Sequence, residues 1–331
     1  TLESFVTGKT TTTEVTEEIP TDIILVLDQS GSMKENYSGA TYKYEPVYNL
    51  SKSNTYYVGE GHTAVEWCRD CEKWTNGCYD VLWWHKEGTA YTPKTSANDT
   101  TSGRVQFYEQ VRVAAQTKLA ALKAAVTTFA NSVAEKAKGP DGNFGTDDDV
   151  KHRIAVVGFA DESPDYDNTE IFIGSKEYGY GNSASGVYAT AFQYMNTTTG
   201  RQNVSNSVDK LSADGSTYVD KGIDLANGIF DKNPIKANEK RNRVVIIFTD
   251  GAPGWNGKYS GSEYGNGGDA AAAADAALKA IATTKDTYKA TVYTVGIFSG
   301  ADATTAGSNT GNASAAQRAN WFMQHLSSNN G

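Results

Sequence analysis

The sequence predicts a doubly wound α/β fold, a mostly parallel sheet with helices on both faces. Four short apolar runs rich in Val and Ile recur at 22–28, 153–160, 243–249 and 290–298. The first three are continuous rather than alternating, which is how strands buried on both faces read. Segments with a helical apolar period lie between them, and parallel neighbours need such crossovers.

Residues 1–20 open with Leu2-Glu3-Ser4-Phe5-Val6-Thr7-Gly8 and a Thr run. They read as the end of a flanking β domain and a linker, with the α/β domain expected over 21–331. The first core strand, Asp22-Ile23-Ile24-Leu25-Val26-Leu27-Asp28, follows. From 36 to 103 the chain turns Tyr-, Trp-, Gly- and Thr-rich and holds all three Cys. A stretch this long between a strand and its helix implies an insertion with its own structure.

The expected helix spans 104–138, where Ala115, Leu119, Leu122, Val126, Phe129 and Val133 lay one apolar face on a sheet. Gly139-Pro140 ends it. The second strand covers 153–160, and a second Gly/Tyr/Asn-rich insertion runs over 161–200, with Glu170–Ile173 as an edge strand. Helices are expected at 201–212 and 218–231, the third strand at 243–249, an Ala-rich helix at 269–284, the fourth strand at 290–298 and a last helix at 314–326.

The chain has 331 residues, 39% apolar and 21% charged, which suits an ordinary globular protein with a sizeable core. A net charge of −9 argues against nucleic acid as a partner, because phosphate binding needs a basic surface. No 18-residue apolar stretch is present, so no membrane span is expected. Thr-, Asn- and Gly-rich loops with 19 Tyr suggest an extracellular bacterial protein, with any secretion signal or anchor expected outside this sequence.

The chemistry concentrates where strands end. The first strand runs into Asp28-Gln29-Ser30-Gly31-Ser32, and the third into Thr249-Asp250-Gly251. Asp214-Gly215-Ser216-Thr217 precedes a helix between them. Open α/β sheets bind ligands at the carboxyl ends of their strands. Three such loops would bring Asp28, Ser30, Ser32, Thr217 and Asp250 together, five oxygen donors with two negative charges. Hard oxygen ligands suit Mg²⁺, Mn²⁺ or Ca²⁺.

These three segments, in this order, resemble the metal-ion-dependent adhesion site of von Willebrand factor A domains. The resemblance covers roughly 22–34, 104–160 and 201–327. It implies that Ser30, Ser32 and Thr217 contact the metal and that Asp28 and Asp250 act through water. The remaining vertex is left to a Glu or Asp of the ligand. The insertion between the first strand and helix is most similar to surface adhesins and pilus-tip proteins of Gram-positive bacteria. The family also implies a further strand and helix after the last readable helix, expected beyond Gly331.

Two further segments invite metals. Residues 139–150 contain Asp141, Asn143, Asp147 and Asp149 between glycines, a pattern suited to Ca²⁺ or to a solvated acidic turn. It is not an EF-hand, since His152 stands at the twelfth position. In the first insertion, Cys68, Cys71, Cys78 and His85 have spacings compatible with Zn²⁺, and the Cys alternatively with one disulfide plus a spare thiol. Trp67, Trp74, Trp83 and Trp84 surround them as a small core or an exposed recognition patch.

Enzyme signatures are missing: no Gly-x-Ser-x-Gly, phosphate loop or His-Glu-x-x-His occurs, and only four His are present. The expected function is a bacterial cell-surface adhesin module that holds a divalent cation and captures an acidic residue of an extracellular host or matrix protein. The competing expectation is a structural pilus or surface assembly module whose metal site only stabilises the fold.

Overall fold

The computed structural model describes residues 18–38, 41–47, 50–58, 61–70, 73–76, 83–87, 90–94, 107–113, 115–160, 168–180, 185–251, 269–308 and 312–328. Two compact units emerge, one from residues up to Tyr37 and from Thr117 onward, the other from Ser38–Gln116.

The larger unit is mixed α/β with a largely parallel sheet. Its strands are β1 (Thr21–Asp28), β2 (Arg153–Phe159), β3 (Glu170–Ile173), β4 (Lys176–Gly179), β5 (Gln193–Tyr194), β6 (Asn242–Thr249) and β7 (Thr291–Gly296). Its helices are α1 (Lys118–Ala137), α2 (Ser185–Thr190), α3 (Thr198–Lys210), α4 (Val219–Lys232), α5 (Asp269–Asp286) and α6 (Ala315–Leu326). The strand order is β4-β3-β2-β1-β6-β7, with β5 also paired to β2. β2, β1, β6 and β7 run parallel, while β3, β4 and β5 add antiparallel pairs.

β1 shows why its sequence carries no polar alternation. Ile24 and Val26 pack with Ile223 and Ile229 of α4, Ala277 of α5 and Phe322 of α6. Ile23, Leu25 and Leu27 pack with Leu122 and Val126 of α1 and Val204 and Val208 of α3. Both faces of the strand are therefore apolar environments, and both must be apolar in sequence. Gly222 lets α4 come close: a Cβ there would stand 2.8 Å from Cβ of Phe159.

The helix expected over 104–138 begins only at Lys118. Residues Phe107–Val113 instead form a strand paired antiparallel with Thr41–Val47, from Val47 opposite Phe107 to Thr41 opposite Val113. Cross-strand pairing overrides the weak helical reading there, and the Thr117 hydroxyl marks the true start by accepting from Ala120 N at 3.2 Å. The stretch between β1 and α1 thus extends past residue 103. The second, 161–200, holds more than one edge strand: β3, β4, α2 and β5 fall within it, and α3 starts at Thr198.

The smaller unit is an antiparallel sheet whose strands follow the order 41–47, 107–113, 56–58, 63–68, 73–75, 83–87 and 90–94. Tyr56, Val58, Val65, Trp74 and Phe107 are buried together, with Trp67 against them. Trp74 meets Tyr56 and Trp67 edge-on at 5.2 and 5.6 Å, which makes these two tryptophans core residues. The side chains of Trp83 and Trp84, and all of residues 1–17, lie outside the described residues.

After α6, Ser328 N donates to Val292 O at 2.9 Å and Val292 N donates to Ser328 Oγ at 2.8 Å, so the chain returns to β7. Among the described residues no helix is long and apolar enough to cross a membrane.

The amino end of β1 is held by an ionic cluster. Asp22 is fully buried and accepts from Arg153 Nε and Nη2 at 2.6 and 2.9 Å and from Arg241 Nε at 2.7 Å. Asp22→Ala would leave two nearly buried guanidinium groups facing each other. A loss of about 3–5 kcal/mol is expected in urea denaturation; a loss below about 1 kcal/mol would show that solvent already compensates them.

Candidate metal centre

β1 and β6 are parallel neighbours in register, with Leu27 opposite Phe248. Their carboxyl ends therefore deliver Asp28 and Thr249-Asp250 to the same edge. Asp28 is completely buried. Its Oδ1 accepts from Ser30 N at 2.8 Å, and its Oδ2 lies 2.8 Å from Thr249 Oγ1 and 3.3 Å from Asp250 N. Burial and then the charge of Asp250 push the Asp28 carboxyl up to about 6, against the pull of its Ser30 and Thr249 hydrogen bonds.

Gln29 organises the loop after β1. Its N donates to Phe159 O at 3.0 Å and its Nε2 to Asn168 O at 2.7 Å, while its Oε1 accepts from Ser212 N at 3.3 Å. Asn168 Nδ2 in turn sits within 3.2, 3.0 and 3.1 Å of the carbonyls of Gln29, Ser212 and Asp214.

The third segment is drawn in by backbone. Asp214 N donates to Gln29 O at 2.8 Å, and Gly31 N to Gly215 O at 2.9 Å. A Cβ on residue 31 would stand 3.2 Å from that same carbonyl, so Gly31 permits the approach. Gly215 itself has φ +77°. Thr217 follows, half-buried, just before Tyr218, whose N donates to Ala160 O at 2.9 Å. Ser30 Oγ and Ser32 Oγ lie 3.1 Å apart, with the intervening turn anchored by fully buried Met33.

The loops carrying Asp28, Ser30, Ser32, Thr217 and Asp250 thus meet at one sheet edge. This donor set fits a hard divalent cation. A buried carboxylate beside a second carboxylate gains most from an added positive charge, and vicinal hydroxyls supply neutral oxygens. Among the described residues no group of three or more His, Cys, Asp or Glu is arranged to hold a metal; the strand-end set has only two carboxylates. Sequence reasoning missed Gln29, Asn168 and Lys118. Lys118 Nζ stands 2.9 Å from Asp250 Oδ2 and 2.7 Å from Glu35 Oε2. Their partners are distant in sequence, so no local pattern marks them.

The acidic loop after α1 closes on itself. Asn143 N donates to Asp141 Oδ1 at 2.7 Å, Gly145 N to Asp149 Oδ2 at 2.9 Å, and Asp141 N to Asp148 Oδ2 at 3.0 Å. Asp147 makes none of these bonds. Asn196, not among the ligands expected for this loop, donates to Asp149 Oδ2 at 3.1 Å. Oδ1 of Asp149 and Oδ1 of Asn196 are shut from solvent without a hydrogen-bond partner. Of the cysteine cluster, Cys68 is buried at the end of its strand. Cys71, Cys78 and the side chain of His85 lie outside the described residues.

No protein-family model and no curated protein matches this chain. Among solved structures it aligns with the open conformation of the pilus adhesin SpaC from Lactobacillus rhamnosus GG. That alignment has 14% identity and a TM-score of 0.43, over 95% of this chain and 27% of that one. It also aligns with the vWF domain of the type V pili tip protein Mfa5 from Porphyromonas gingivalis, at 11% identity and a TM-score of 0.41, over 94% and 88%. The chain spans about a quarter of the length of SpaC. Alignments at this level assign neither a family nor a site.

The raised Asp28 carboxyl has a consequence for stability. Between its ordinary value of 3.8 and about 6, the folded chain binds the extra proton. Its stabilising contribution is complete below the lower value and lost as pH rises through the upper one. In chelator, wild type is therefore expected to lose stability relative to Asp28→Asn across this window, by at most about 3 kcal/mol. A difference that stays flat in urea denaturation from pH 4 to pH 7 would refute it.

Proposed function

We propose that the chain is a von Willebrand factor A-type, doubly wound adhesion domain of a bacterial surface or pilus protein. In this reading it captures an acidic side chain of an extracellular protein through a divalent cation, Mg²⁺ or Mn²⁺. Ser30, Ser32 and Thr217 would hold the cation directly, with Asp28 and Asp250 behind them. The carrying observation is the meeting of three distant loops at one sheet edge around a fully buried Asp28. The bound cation supplies a positive centre with an unfilled oxygen position, which a ligand carboxylate completes.

The residues of the chain have separable tasks. Thr249 and the amides of Ser30 and Asp250 fix both oxygens of Asp28. Gln29 and Asn168 lock the loop backbone, so the Ser30 and Ser32 hydroxyls need no reordering when a cation arrives. Such preorganisation lowers the ordering cost of binding.

Capture of candidate matrix proteins in pull-downs is expected with Mg²⁺ and lost in chelator or in Asp28→Ala. Capture that persists in chelator would sink the adhesin reading. If capture is absent but Mg²⁺ still stabilises, the site serves only to stiffen an assembly module. At about 100 times its dissociation constant, the cation should add roughly 2.7 kcal/mol of stability.

A second cation, Ca²⁺ in the loop after α1, is favoured by the two orphaned oxygens of Asp149 and Asn196. Calcium should then raise the melting temperature of Asp28→Ala but not that of the Asp28→Ala/Asp149→Ala double variant. Equal shifts in both variants would exclude the loop.

A further inference from the structure

Lys118 belongs to none of the three loops, yet its side chain ends at the strand-end site. As the first residue of α1 it is fixed by its own backbone, Lys118 N donating to Glu35 O at 2.9 Å. Its Nζ then bridges Asp250 Oδ2 and Glu35 Oε2. The two carboxylates are not equivalent. The side chain of Asp250 is 8% exposed and that of Lys118 15%, whereas that of Glu35 is 68% exposed. Attraction between the first two is poorly screened, while Glu35 is largely solvated.

We propose that Lys118 is a resident cation that shares Asp250 with the divalent metal and so sets the affinity of the site. This rests on the metal-centre reading above. Asp28 and Asp250 together balance one divalent ion; Lys118 adds a third positive charge beside the same carboxylate. Metal affinity is lowered, because the ammonium already neutralises part of the Asp250 charge that the metal would use. Glu35 offers the ammonium a second partner, which releases Asp250 to the metal. The pair therefore acts in opposite directions: Lys118 opposes metal uptake and Glu35 assists it.

Calorimetric titration of the full chain with MgCl₂ or MnCl₂ alone tests this. Lys118→Met is expected to bind metal about tenfold more tightly than wild type, Lys118→Arg within about twofold of it, and Glu35→Gln about threefold more weakly. Lys118→Met should also melt lower than wild type in chelator and recover with metal, a metal-dependent rescue that a lost packing contact would not show. Wild-type affinity in Lys118→Met, or tighter binding in Glu35→Gln, would overturn the proposal. If Lys118→Met does not fold, Glu35→Gln and Lys118→Arg still decide it, because the solvated Glu35 side chain can be replaced without disturbing the core. Wild type that takes up no metal would overturn the metal centre and this proposal together. Metal uptake that is equal in all variants would overturn this proposal alone.

Discussion

Complete burial of a carboxylate at the end of a central strand costs free energy, and the fold around Asp28 is arranged to offset it. A carboxylate removed from water needs hydrogen bonds to both oxygens or a positive partner. Asp28 receives the amide of Ser30 on one oxygen, and the hydroxyl of Thr249 with the amide of Asp250 on the other. All of these donors are neutral, and Asp250 adds a negative charge nearby. The compensation is partial by construction.

The two ends of β1 make the contrast plain. Asp22, also fully buried, begins the strand and faces two arginines at 2.6–2.9 Å. With Glu239 3.0 Å from Arg241 Nη1, two carboxylates there meet two guanidinium groups. Asp28 ends the strand with neutral donors and a like charge. One chain direction thus carries a saturated ionic anchor at its start and an electrically unfinished site at its finish. Ligands of open parallel sheets are found at the finishing end for a related reason: strand ends and loops converge there without helix packing to fill the space.

The loops reach that edge because backbone bonds bring them there. Gln29 ties β1 to β2 and to the 212–214 segment, and Gly31 and Gly215 allow the close approach of two main chains. The loops that carry Ser30, Ser32 and Thr217 then come to the same edge as a by-product of main-chain geometry. This is why Asp28, Ser30 and Ser32 alone say little, whereas their company with Thr217 and Asp250 supports the cation binding proposed above.

Much of this was legible in the sequence. Continuous apolar runs marked β1, β2 and β6, since strands covered on both faces must be apolar on both, a Val-rich run marked β7, and the acidic and hydroxyl residues at the strand ends marked the candidate site. The start of α1 was not legible. Phe107–Val113 has enough apolar residues to extend a helical period, and only pairing with Thr41–Val47 makes it a strand. Nor were Gln29, Asn168 and Lys118, whose partners lie up to 183 residues away. By itself, then, the sequence determined the four parallel strands, their order along the chain and the residue types offered at their ends, because burial and local turn chemistry are short-range. The tertiary structure alone decided that Asp28 is buried beside Asp250 with Lys118 against it, because electrostatic neighbourhoods are set by distance in space.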